Sequence, residues 1–209
     1  ALMYEPSGFT NCTDSYYTFP KGTAGYTPYS PENAAICCGA MVAAEGFQFT
    51  AGMGTQQWSP GTNPFNNFAT PIFIKNELRI PLGANVTATN MEFRFAAGAT
   101  LVIERGGTFQ AVNCTMTNAC GGRWAGIRVN GTTTADQSPL IGGDQGYLRL
   151  SGSTVRNAVV GAQTLTQLAG GGADLNGYGG IIIATQSTFK NCVTGVRSEE
   201  RRVGKEWRS

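Results

Sequence analysis

The sequence contains no histidine, and this absence removes several classes of chemistry at once. Serine and cysteine hydrolases commonly use an imidazole as general base, and most zinc sites with nitrogen ligands use imidazole. A switch that responds to pH near neutrality is also usually built on histidine. We therefore expect neither a histidine-dependent hydrolase nor a histidine-bound metal, and no metal site is predicted.

Charged residues are scarce as well. Asp, Glu, Lys and Arg make up 13% of the 209 residues, the formal net charge is +2, and 41% of the residues are hydrophobic. This composition is typical of a folded protein with a core. A nucleic-acid-binding protein needs a basic face that neutralises phosphates, so no nucleic-acid partner is expected. No run of about 18 apolar residues is present, and no membrane span is expected.

The last thirteen residues, 197–209, differ from the rest in composition. They carry five basic and three acidic residues, and without them the chain has ten of each. A solvated charged terminus is one interpretation. The segment also resembles the translation of a short-read sequencing adapter, from which it departs at Trp207. We therefore expect an artefactual tail on a metagenomic fragment, whose natural chain begins before Ala1 and continues after Val196.

A repeat occupies the second half of the chain. Three segments align without gaps over twelve residues: Phe109–Cys120, Leu148–Val159 and Ile182–Val193. Each has two apolar residues seven positions apart and an asparagine two residues after the second. These asparagines are Asn118, Asn157 and Asn191, and a weaker fourth copy ends at Asn90. Repeated short units of this kind indicate a solenoid.

Short apolar runs separate these anchors, for example Leu101–Ile103 and Ile181–Ile183. They are rich in β-branched residues and bounded by Gly, Asn, Ser and Thr, which is typical of strands, and no helical period accompanies them. The pattern predicts a β-solenoid whose coils stack at about 4.8 Å. In that arrangement Asn118, Asn157 and Asn191 lie above one another and form an amide ladder at a turn.

The stretch VNCTMTNACGGRWAGIRVNG, Val112–Gly131, carries a family resemblance. It resembles one coil of the right-handed parallel β-helix found in large secreted or surface proteins of Bacteroidetes-type bacteria. The resemblance covers residues 78–196. It implies an all-β, right-handed parallel β-helix on an extracellular or cell-surface protein. Residues 1–77 lack the repeat and are interpreted as an irregular N-terminal cap or as the remnant of a preceding domain.

Two insertions, Asn130–Gly146 and Gln163–Gly179, fall at the same position of the repeat and are expected on one face. They carry three carboxylates, Asp136, Asp144 and Asp174. Together with Arg128, these carboxylates are the candidate active-site residues of a β-helical polysaccharide lyase or glycoside hydrolase. Ca²⁺ is the only cofactor expected under that hypothesis. Turn-forming aspartates beside glycines are the alternative interpretation.

Two tryptophans in loop-like sequence, Trp58 and Trp124, are candidates for stacking on sugar rings, and burial in the core is the alternative. The leading hypothesis is a non-catalytic, adhesin-like β-helix segment without a cofactor. Its expected partner is a polysaccharide or a host or cell-surface glycan. The lyase or hydrolase is the second hypothesis.

Overall fold

A computed structural model describes residues 54–65, 71–119, 122–141, 143–164 and 178–198. Within these ranges the chain forms fifteen strands and no helix. Hence no helix capable of crossing a membrane occurs in the described part of the chain. The strands are β1 (Thr55–Trp58), β2 (Ile72–Ile74), β3 (Glu77–Ile80), β4 (Asn85–Thr89), β5 (Glu92–Phe95), β6 (Thr100–Ile103), β7 (Thr108–Val112), β8 (Thr115–Asn118), β9 (Trp124–Val129), β10 (Tyr147–Ser151), β11 (Thr154–Arg156), β12 (Ala158–Gln163), β13 (Ile181–Thr185), β14 (Thr188–Lys190) and β15 (Thr194–Arg197).

Every third strand belongs to the same sheet. The first sheet has the order β1-β4-β7-β10-β13, the second β2-β5-β8-β11-β14 and the third β3-β6-β9-β12-β15, and all neighbouring strands are parallel. Three consecutive strands therefore make one coil, and five coils stack along one axis. The chain is an all-β, right-handed parallel β-helix, as predicted.

The coils begin earlier in the chain than the repeat indicated. Strands β1 and β2 lie before residue 78, yet β1 pairs with β4 and β2 with β5. Strands β1, β2 and β3 therefore form the first coil, so the coils begin before the predicted boundary at 77/78. Most of the predicted cap, residues 1–53, lies outside the described residues. At the described N-terminal end, the ring of Phe65 packs edge-on against Trp58, with centroids 5.3 Å apart.

The repeat alignment gives the correct register for the last three coils. Phe109 pairs with Leu148 and Leu148 with Ile182, and in the second sheet Val155 pairs with Phe189. These side chains alternate with outward-facing ones and point into the interior. Burial of each large apolar side chain contributes about 1.5–3 kcal/mol to stability. The interior columns of aliphatic and aromatic residues are therefore the main stabilising feature.

The predicted fourth copy, which ends at Asn90, has the wrong register. Thr89 pairs with Val112, so Asn90 is level with Asn113 at the corner between the first and second sheets and not with Asn118. The corresponding residues of the next coils are Gly152 and Gln186. All four have positive φ, between 51° and 59°. The corner has a left-handed residue in each of the last four coils, and asparagine and glycine adopt that conformation at least cost.

The two longest connections lie at one corner, between the third sheet and the first. The connections there are residues 81–84, 104–107, 130–146 and 164–180. The two long ones correspond to the two predicted insertions, and residues 165–177 of the second lie outside the described part. Within 130–146, the buried side chain of Gln145 donates to the carbonyls of Thr132 and Ala135, each 2.9 Å away. Hydrogen bonds from Gln145 therefore connect the two ends of this loop at its base.

The interior is less well covered at the fifth coil. In the fourth coil the inward-facing residues Leu148, Val155 and Ala162 have no exposed surface. Their partners one coil further, Ile182, Phe189 and Val196, are partly or largely exposed. Strands β13, β14 and β15 are also the last strands of their sheets. The apolar columns thus run to the end of the described coils.

Candidate binding surface

The predicted asparagine ladder lies at the corner between the second and third sheets. The Nδ2 of Asn157 donates to Oδ1 of Asn118 at 2.8 Å, and the Nδ2 of Asn191 donates to Oδ1 of Asn157 at 2.7 Å. Asn157 and Asn191 also have positive φ, at 59° and 54°. The structure therefore brings the three amides into one hydrogen-bonded column across three coils. Because each amide is used by its neighbours, the column holds the corner together.

A second column lies at the corner between the first and second sheets. Ser153 Oγ accepts from the backbone N–H of Cys114 at 3.0 Å, and Ser187 Oγ accepts from the N–H of Ser153 at 3.1 Å. Burial raises the pKa of the Cys114 thiol above its ordinary value. The repeat shows that Cys114, Ser153 and Ser187 are equivalent, but their sequence gives no indication of this bonding.

Trp124 is a core residue. It has no exposed surface, stacks on Phe95 with ring centroids 4.2 Å apart, and donates its indole N–H to the carbonyl of Arg156 at 2.9 Å. A side chain without exposed surface cannot stack on a sugar ring, so the prediction of a surface binding role is wrong for this residue. Strand β9 begins at Trp124, and the alternation of the strand turns the indole inward.

Trp58 is also buried, with 2% of its surface exposed. Its ring meets Phe65 and Phe109 edge-on, with centroids 5.3 and 6.3 Å away. It ends strand β1 and points into the first coil, opposite the interior residue Ala88 of the second. The predicted sugar-stacking role is therefore wrong here as well, and the alternative interpretation of both tryptophans holds.

The carboxylates of the lyase or hydrolase hypothesis lie in different surroundings. Asp136 and Asp144 are exposed in the loop 130–146, while Asp174 lies outside the described residues. Arg128 lies on the outer face of the third sheet, between Val102 and Gln163 of the adjacent coils. No group of three or more Cys, Asp or Glu suited to a metal ion occurs among the described residues. The described part thus offers Ca²⁺ no such cluster.

The outer face of the second sheet carries a column of hydroxyls. Thr154 pairs with Thr115 on one side and with Thr188 on the other. The three side chains face outward, because the residues that follow them, Met116, Val155 and Phe189, face the interior. We call Thr115, Thr154 and Thr188 the threonine column. The three threonines are part of the sequence repeat, but only the alternation of the strands shows that they face outward.

Carboxylates of the first two coils are held by arginines. Arg79 contacts both Glu77 and Glu104, and Glu104 also accepts from Asn130 Nδ2 at 2.9 Å. The hydrogen bond to Glu77 raises the pKa of Arg79 above its ordinary value. On the second sheet, Arg94 pairs with Glu92 at 2.7 Å. Three glutamates at this end of the molecule are thus paired with two arginines.

No protein-family model, curated protein or solved structure gives a significant match to this chain. The architecture therefore rests on the strand pairing itself. The fold alone does not determine the function, because the same fold can carry unrelated activities.

Proposed function

We propose that this chain is a non-catalytic, adhesin-like segment of an extracellular or cell-surface β-helix, of the kind that its repeat resembles in Bacteroidetes-type bacteria. It contacts a polysaccharide or a cell-surface glycan. In this proposal residues 197–209 form the adapter-like tail. No cofactor takes part.

The observation that carries the proposal is the threonine column. Thr115, Thr154 and Thr188 present three hydroxyls in register on adjacent parallel strands. Neighbouring strands lie about 4.8 Å apart, so a linear polymer along the helix axis meets a hydroxyl at each of the last three coils. Each hydroxyl both donates and accepts hydrogen bonds, which suits the hydroxyl groups of a sugar chain.

A glycan array probed with the full chain tests this function. We expect binding to at least one glycan, weakened in the triple variant Thr115→Val, Thr154→Val, Thr188→Val, which keeps side-chain shape and removes the hydroxyls. Thr87→Val, on the outer face of the first sheet, is the matched control and leaves binding unchanged. Absence of binding to every glycan, or equal loss in the control, contradicts the proposal.

An activity assay on the same protein sample distinguishes the lyase or hydrolase hypothesis from the binding hypothesis. Asp136 and Asp144 share one loop whose base is fixed by Gln145, which is the feature that favours catalysis there. Incubation with acidic and neutral glycans, followed by measurement of unsaturated products and reducing ends, detects turnover. We expect none. Turnover that is abolished by Asp144→Ala or by Asp174→Ala would establish the enzyme instead.

A further inference from the structure

Charges are distributed unevenly along the helix axis. The glutamates of the first two coils, Glu77, Glu92 and Glu104, are paired with arginines. The described residues of the fourth and fifth coils, 147–164 and 178–198, contain basic residues and no carboxylate side chain. The basic residues of these two coils therefore have no carboxylate within the same described coils, whereas the arginines of the first coils are paired with glutamates.

Two cations of these coils and one of the third coil lie at the end of the second sheet. Arg156 and Lys190 occupy paired positions on adjacent strands and face outward, since Val155 and Phe189 before them face the interior. Arg123 reaches from the third coil to the fifth, where its Nη2 donates to Oδ1 of Asn191 at 3.4 Å. We call Arg123, Arg156 and Lys190 the basic corner.

Within the described part of the chain, no carboxylate forms an ion pair with Arg123, Arg156 or Lys190, whereas Arg79 and Arg94 are paired with glutamates. The Nε of Arg156 has no hydrogen-bond partner, although it is shielded from solvent. Arg123 and Lys190 are exposed. A guanidinium presents several N–H donors in a planar fork, which matches a carboxylate or a sulfate group. The threonine column lies alongside, because Thr154 and Arg156 share one strand face, as do Thr188 and Lys190.

We propose that the basic corner and the threonine column together bind an anionic polysaccharide. The carboxylate or sulfate groups lie on Arg123, Arg156 and Lys190, and the sugar hydroxyls lie on the threonines. This inference rests on the proposed function and narrows its glycan to an acidic one. A polymer is favoured over a small anion because the threonine column beside these cations extends over three successive coils.

Charge and chemistry favour a glycan over a nucleic acid. Nucleic-acid binding draws its affinity from many phosphate contacts and, for single strands, from exposed aromatic rings on which bases stack. The basic corner has three cations, and the neighbouring columns carry hydroxyls and amides. The nearest aromatic residue on these strands, Phe189, is packed against the core.

Binding of the full chain to immobilised polygalacturonate, dextran sulfate, neutral dextran and single-stranded DNA tests the inference. The test variant is Arg156→Gln, Lys190→Gln. The control is Arg105→Gln, Arg149→Gln, which removes the same charge from exposed positions in the turn 104–107 and on the first sheet. Circular dichroism establishes that both variants fold. Arg156→Lys keeps the charge but removes the fork.

We expect binding to polygalacturonate or to dextran sulfate, and the better of the two identifies the anionic group. The test variant weakens it by about tenfold or more, since hydrogen bonds between charged groups are involved. The control changes it by less than about twofold, and binding of the test variant depends less on salt. We expect Arg156→Lys to bind the acidic polysaccharide with an affinity between those of the wild type and the test variant.

Equal losses in test and control variants overturn the inference, because they indicate a diffuse charge effect. Binding to single-stranded DNA as tight as to the acidic glycans also overturns it. If neutral glycans on the array bind and the test variant binds them normally, the inference fails while the proposed function stands. Absence of binding to any glycan removes both.

Discussion

The indole of Trp124 and the ring of Phe95 stack almost in parallel, with centroids 4.2 Å apart and an interplanar angle of 12°. The two residues belong to adjacent coils, on β9 and β5. We expect Trp124→Ala to lower the free energy of unfolding by about 3–5 kcal/mol, because it removes this contact and leaves a cavity. Urea denaturation measures the loss. Leu82→Ala, at an exposed position, is the control and changes stability by less than about 0.5 kcal/mol.

Asn157 combines a left-handed backbone with two ladder hydrogen bonds. We expect Asn157→Ala to lower the free energy of unfolding by about 2–4 kcal/mol, from backbone strain and lost bonds together. Asn157→Gly loses the bonds but adopts the same φ freely, so it should cost about 1–2 kcal/mol less than alanine. Equal effects of Ala and Gly in urea denaturation would contradict the importance of this backbone conformation.

Gly126 lies where two strands approach too closely for a side chain. Its φ is 110°, and an added Cβ would overlap the carbonyl of Val160 on the adjacent strand. We expect Gly126→Ala to destabilise the protein by more than about 4 kcal/mol. Gly83→Ala is the matched control, since Gly83 has φ of 79° with open space around it, and should cost about 1–2 kcal/mol. Thermal denaturation of both variants distinguishes a steric overlap from backbone strain alone.

The buried thiol of Cys114 makes stability depend on alkaline pH. Its pKa is raised by burial, so above a pH of about 8.5 the unfolded chain releases this proton while the folded chain retains it. The free energy of unfolding therefore falls as pH rises. We expect Cys114→Ser to reduce this slope, measured by urea denaturation between pH 8 and pH 10. Ser153 and Ser187 occupy equivalent positions, so serine fits there.

Edge position should weaken the fifth coil relative to the fourth. Leu148 and Ile182 occupy the same interior column, but Leu148 is fully buried and Ile182 only partly. We expect Leu148→Ala to cost about 2–5 kcal/mol and Ile182→Ala clearly less, because less apolar surface is lost from the interior. In hydrogen exchange, amides of β13–β15 should exchange before those of β10–β12. Equal protection of the two coils would contradict this ordering.

The repeat was sufficient to predict the later coils because equivalent residues there keep both their chemistry and their spacing. The column Thr115, Thr154, Thr188 is identical in all three coils. The first two coils could not be found in this way, since Phe93 takes the position of Met116, and Phe95 takes that of Asn118. Only the interior pattern persists in them, and short apolar patterns do not fix a register.

The tryptophans show a second limit of the sequence. Glycines precede Trp124 in the sequence, and such surroundings are typical of loops; the strand, however, begins at the tryptophan itself. Whether its side chain faces inward depends on where the strand starts, and one residue of displacement reverses it. The left-handed corner had a detectable signal, because Asn113, Gly152 and Gln186 each precede a ladder asparagine by five residues.

The corner between the third and first sheets carries connections as short as residues 81–84 and as long as residues 130–146, while the coils on both sides keep their pairing. Each doubling of loop length adds only about 0.6 kcal/mol of closure entropy. The stacked coils can therefore stay unchanged while the loop at this corner is replaced by another. Evolution, or a protein engineer grafting a peptide, can exchange the contents of this corner without redesigning the coils beneath it.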